Sequence, residues 1–132
     1  IYANASEEIL TAQAMTEYNG MLFADLGHIC INRLMHTMSG DLKKKNIAAI
    51  TLMPGFMQTE AVLQVMTTDE LKQQFRFDLS ESPRYVGRAV AALAGDDDVI
   101  AKTGRIHFVA DLAKEYGFTD IDGRYIPRFD PA

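Results

Sequence analysis

Within LMPGFMQTEAVL, residues 52–63, an apolar run meets Pro54-Gly55 and reopens at Thr59 as a helix start. A loop that leads from a strand into a helix N-terminus presents unpaired backbone N–H groups, which favour an anionic ligand. A bare Pro-Gly after a strand serves equally as a plain structural turn. His28 is the second residue type of interest, because an imidazole with an ordinary pKa of about 6.5 can exchange a proton near neutrality. A satisfied structural histidine accounts for it as well. His28 and His36 have neither the spacing nor the carboxylate and cysteine partners of a zinc site, and His107 falls in a separate predicted strand, so no metal site is expected. The single cysteine, Cys30, forms no disulfide within the chain and is expected to be a core filler. There is no Gly-x-Ser-x-Gly elbow and no phosphate-gripping glycine loop, so hydrolase and kinase chemistry find no support.

The elements that must position these residues alternate. Apolar side chains at Leu22, Leu26, Ile29, Leu34, Met35, Met38 and Leu42 keep a helical period, with Cys30 and Ile31 on a second face. The spacing predicts one long helix from Leu22 to Lys45, covered on two sides, with Lys43, Lys44 and Lys45 in its last turn and Asn46 as a left-handed cap. Ile47 to Met53 reads as a parallel strand buried on both faces. Thr59 caps a short helix, and Thr67 with Glu70 forms a capping box for another that runs to about Phe77. Ser82-Pro83 starts a helix whose buried stripe is Val86, Ala89, Val90 and Leu93 and which ends at Gly95. An Asp-led helix reaches Lys102, Arg105 to Val109 forms a last strand, and turns at Tyr116-Gly117 and Asp122-Gly123 mark the tail. Upstream, Ile1 to Ala5 is a weak strand, followed by a polar loop and the Asn19-Gly20 turn.

This order implies an α/β fold with right-handed crossovers onto a parallel sheet. At 132 residues, 48% hydrophobic and 23% charged, one compact domain over residues 1–132 is expected. A net charge of -5 gives no field for phosphate backbones, so nucleic acid is not an expected partner. No apolar run reaches the roughly 20 residues that span a bilayer, so a membrane role is not expected and a cytoplasmic, soluble protein is. The chain opens on Ile1, and its native start is expected upstream.

The run NRLMHTMSGDLKKKNIAAITLMPGFMQT, residues 32–59, resembles the active-site helix, the following strand and the Pro-Gly-x-x-x-Thr turn of the short-chain dehydrogenase/reductase (SDR) family. SPRYVGRAVAALAGDDDV, residues 82–99, is similar to the helix after the substrate loop in a subgroup of that family. The resemblance implies the C-terminal half of a Rossmann-like doubly wound parallel sheet with flanking helices, lacking the N-terminal Gly-rich half that cradles a pyrophosphate.

It also implies roles. Pro54, Gly55 and Phe56 would lie beside the nicotinamide of NAD or NADP, Thr59 would bond the cofactor, and Thr59 to about Phe77 would form a mobile substrate cover. As an N-cap alone, Thr59 is equally accounted for. The family's catalytic Tyr and Lys fall at Ala24 and His28, and Ala has no proton to give. His28 is the remaining catalytic candidate, able to act as a weak acid or bind a ribose hydroxyl, and Ser6 is the nearest match to the family's serine. Tyr18 and Asp25 are further conceivable substitutes. Without the Gly-rich half, this chain alone is expected to bind a dinucleotide weakly or not at all.

Two functions follow from the resemblance. One is an NAD(P)-dependent oxidoreductase acting on a carbonyl or alcohol, its activity reduced by the missing pair. The other is a non-catalytic relative that forms a homo-oligomer through the helix from Leu22 to Lys45.

Overall fold

The computed structural model describes residues 22–128. The expected first strand, the Asn19-Gly20 turn, Ser6 and Tyr18 lie outside the described residues, as do the side chains of Ala24 and Asp25. The elements are α1 (Leu22–Leu42), β1 (Thr51–Met53), α2 (Glu60–Val65), α3 (Asp69–Gln74), α4 (Pro83–Ala94), β2 (Ile106–Phe108) and α5 (Val109–Tyr116). The two strands pair in one parallel sheet, giving a mixed α/β architecture compatible with part of a Rossmann-like fold. The chain divides into two compact units, Ile1–Met53 with Asp97–His107, and Pro54–Asp96 with Phe108–Ala132.

In the first unit, α1 runs the length its period predicts and continues as a 3-10 turn over Lys43–Lys45. Asn46 is left-handed at φ 57°, as expected of the cap, and the N–H of Ile47 returns to the carbonyl of Leu42 at 3.1 Å. That return satisfies a carbonyl that the helix end would otherwise strand. Of the strand expected over 47–53, only Thr51–Met53 forms the ladder. Just upstream, Thr103 takes over: its hydroxyl accepts from the N–H of Ala49 at 2.8 Å and donates to the carbonyl of Ala49 at 3.2 Å. Gly104 has φ +76° and lies so close to Ser39 that a Cβ would be 3.1 Å from that of Ser39. Its carbonyl accepts from Nδ1 of His36 at 2.9 Å, which gives His36 a structural partner.

The faces of α1 are arranged differently from the sequence expectation. Phe23, Leu26, Leu34 and Met38 are exposed, and so is Cys30, which is therefore not a core filler. Spaced 3, 4, 4 and 4 residues apart, these five make a single stripe. Asn32 and Ser39 are buried on the opposite side.

In the second unit, α4 packs on α5. Tyr85, Ala89 and Leu93 of α4 are buried, as are Val109, Ala110, Leu112 and Ala113 of α5. The small alanines let the two helices approach closely, while Val90, expected inside, faces out and Tyr85 takes the buried place. The Tyr85 ring meets Phe118 edge-on at 5.4 Å, and its hydroxyl bonds both backbone groups of Ile126 at 3.4 Å. Helix α5 was not expected. Phe108 passes from β2 directly into it with no capping side chain, so the sequence carries no start signal. Gly117, left-handed at φ 72°, ends it. The first capping threonine of α3 is Thr68, one residue later than the expected Thr67, and it accepts from the N–H of Leu71. α3 stops at Gln74, followed by Arg76 at φ 50° and a 3-10 turn over Phe77–Leu79.

Candidate functional site

The candidate site is built in the second unit around the turn that follows β1. Met53 and Pro54 are buried, and from Phe56 to Gln58 the backbone runs parallel to residues 80–82 through a bridge between Met57 and Glu81. Glu81 N–H donates to the carbonyl of Phe56 at 2.8 Å, and Gln58 N–H donates to the carbonyl of Glu81 at 2.8 Å. Two side chains reinforce the pairing. Gln58 Nε2 donates to Ser80 Oγ at 2.8 Å, and the N–H of Gly55 donates to Glu81 Oε2 at 3.1 Å. The segment 59–79 thus leaves and returns through one hydrogen-bonded neck.

Neither α2 nor α3 within that segment has a buried residue. With so little apolar burial, the segment belongs to the low-stability end of the structure. Beside the neck it is held by the edge-on contact of Phe56 with Phe77, ring centres 6.2 Å apart, and by Arg124, whose guanidinium donates to the carbonyl of Asp78 at 2.6 Å. Thr59 begins α2, and its hydroxyl oxygen accepts from the N–H of Val62 at 3.3 Å. The capping role is therefore present in the structure, and the hydroxyl keeps its own hydrogen to donate.

A second buried carboxylate adjoins the neck. Asp120 accepts from the N–H of Ser82 at 2.7 Å, from the Ser82 hydroxyl at 2.5 Å and from the N–H of Ile121 at 2.7 Å. Ser82 starts α4 as expected, but its side chain is turned to Asp120 and does not cap the helix. Glu81, by contrast, has the single Gly55 N–H, and its Oε1 is buried without a partner. Burial first, then the neighbouring Asp120 charge, push the Glu81 carboxyl up to about 7, against the favourable pull of the Gly55 bond.

Of the residues expected at a site, Pro54, Gly55, Phe56 and Thr59 are brought together here. His28 is half-buried on α1 in the other unit, one helical turn after Ala24, and Ser6 lies outside the described residues. Sequence reasoning missed Glu81, Asp120 and Gln58. An acidic residue just before Ser-Pro is the only local hint of Glu81, and nothing local announces a partner 26 residues away. Among the described residues, no three His, Cys, Asp or Glu side chains group as a metal site, and no helix is long and apolar enough to cross a membrane.

No family model matches the chain. Two curated proteins do, the mouse and human proteins named dehydrogenase/reductase SDR family member 1, at 32% and 30% identity over 106 residues. The chain is related to the short-chain dehydrogenase/reductase family. The matches cover 75% of this SDR-related chain, which spans only about a third, 34%, of the length of those relatives. These matches support a short-chain oxidoreductase-like relationship for the matched residues.

Proposed function

We propose that this SDR-related chain supplies the nicotinamide-side and substrate-side portion of an NAD(P)-dependent oxidoreductase acting on a carbonyl or alcohol, with weakened chemistry. The observation that carries the reading is the hydrogen-bonded neck after β1, which ties Gly55 and Phe56 to Glu81 and returns the 59–79 segment to them. The Thr59 hydroxyl, which keeps its own hydrogen, is the donor that suits a carboxamide-bearing ring, while the Gly55 N–H is held by Glu81. A bound nicotinamide would supply or accept the hydride. The lightly anchored segment 59–79 would close over the substrate and exclude water.

Carbonyl reduction also needs a proton on the substrate oxygen. At the position where the family has tyrosine, Ala24 offers none, and His28 would be the remaining acid on that helix face. Titration of the full-length gene product with NADH and NADPH tests the reading, with saturable binding expected. Ala24→Tyr combined with His28→Lys is expected to raise carbonyl reduction by at least tenfold over the parent. Absence of binding to either dinucleotide would defeat the oxidoreductase reading.

A second reading draws on the exposed stripe Phe23, Leu26, Cys30, Leu34 and Met38. Here α1 serves as a homo-oligomer surface in a non-catalytic protein. It predicts self-association with no dinucleotide binding.

A further inference from the structure

Glu81 has no part in the proposed chemistry, yet its position calls for one. It is 1% exposed, it is the last residue before the α4 cap, and both its backbone groups and one carboxyl oxygen join the two strands of the neck. A neutral carboxyl is tolerated in such a place with one N–H donor. An ionised one is not, because a buried charge needs several donors or a cation to replace water.

The surroundings offer little of either. Asp120 faces it with like charge and already takes three donors of its own. Tyr85, one turn into α4, adds a second acidic group within electrostatic range. The guanidinium of Arg88 is bound to the carbonyls of Thr119 and Asp120. From the turn side comes only the N–H of Gly55. Oε1 has no partner at all.

We propose that Glu81 is a proton-dependent positioning residue: its neutral carboxyl closes the neck of segment 59–79 on Gly55, and its ionisation opens that neck by drawing the carboxylate to water. The burial-raised titration near 7 puts this change within a physiological range. That segment 59–79 is a substrate cover rests on the oxidoreductase reading; that Glu81 governs its opening does not.

Hydrogen exchange of the full-length gene product, without cofactor, separates the two. After correction for the intrinsic rate, amides of residues 59–79 are expected to exchange at least threefold faster at pH 8 than at pH 6. Glu81→Gln, which copies the neutral carboxyl, is expected to show the slow behaviour at both values. Glu81→Asp, one methylene short of Gly55, is expected to be fast at both. An unchanged pH profile in Glu81→Gln would overturn the inference, as would a wild-type profile with no pH dependence. Parallel NADH and NADPH titrations at the two pH values judge the oxidoreductase reading alone.

Discussion

At the scale of single residues, the two carboxyls beside the neck behave differently because their donors differ. Glu81 has a folded-state pKa near 7 against an ordinary 4.5, so the folded chain holds an extra proton between those values. Stability is therefore highest below about pH 4.5 as far as this group is concerned, and it falls as pH rises towards 7. That difference corresponds to a loss on the order of 3 kcal/mol. Urea unfolding at pH 5 and pH 8 is expected to show that Glu81→Gln gains on the parent by an amount of this order on going to the higher pH. An equal difference at both values would mean that Glu81 is not the titrating group. Asp120 poses the opposite case. Asp120→Ala strands the two Ser82 donors and the Ile121 N–H, and is expected to cost about 3–5 kcal/mol in the same assay. The turn residues were legible because Pro, Gly and a capping Thr carry their geometry with them. Glu81 and Asp120 were not, since their meaning lies in contacts made across 26 and 38 residues.

Among the elements, those with a long repeating period could be read and those with short ones could not. α1 repeats its apolar spacing over 21 residues, and the 3-10 turn that continues it ends at a left-handed Asn46, so the helix and its end were accessible. What its period could not say is which stripe is covered: the structure buries Asn32 and Ser39 and exposes the apolar stripe through Cys30. α5 has a clear stop at Gly117 and no capping side chain at its start, so its local sequence does not announce it. In α3, two adjacent threonines compete for one cap. Thr67 with Glu70 has the local form of a capping box, but the backbone places Thr68 at the cap, and the Glu70 carboxyl sits below the ordinary range through bonds to its own N–H and to Thr68. Thr68→Ala is therefore expected to destabilise this helix by about 1 kcal/mol, while Thr67→Ala stays within about 0.5 kcal/mol of the parent. Exchange protection of the Leu71 amide reports the difference. Equal effects of the two substitutions would return the cap to Thr67.

At the scale of the whole molecule, the relationship to longer SDR proteins and the exposed stripe of α1 bear on one question, namely what α1 meets. Five apolar or sulfur-bearing residues lie on one exposed stripe of α1, with Phe23 at 86% exposure, the kind of surface that marks an interaction site when it is contiguous. Burying such side chains is worth about 25 cal/mol per Å², which favours a partner if the stripe is matched by another. The reading in which α1 forms a homo-oligomer makes Cys30 a natural reporter, because it lies in the middle of the stripe with Leu26 and Leu34 on either side. In the full-length gene product, the rate of Cys30 modification by a thiol-reactive dye is expected to fall several-fold as protein concentration rises from nanomolar to tens of micromolar. Leu34→Glu with Met38→Glu is expected to hold the rate at its dilute value and to lower the mass seen in sedimentation. Oligomerisation through α1 does not survive a rate independent of concentration, because a covered stripe cannot leave its central thiol equally accessible at every concentration.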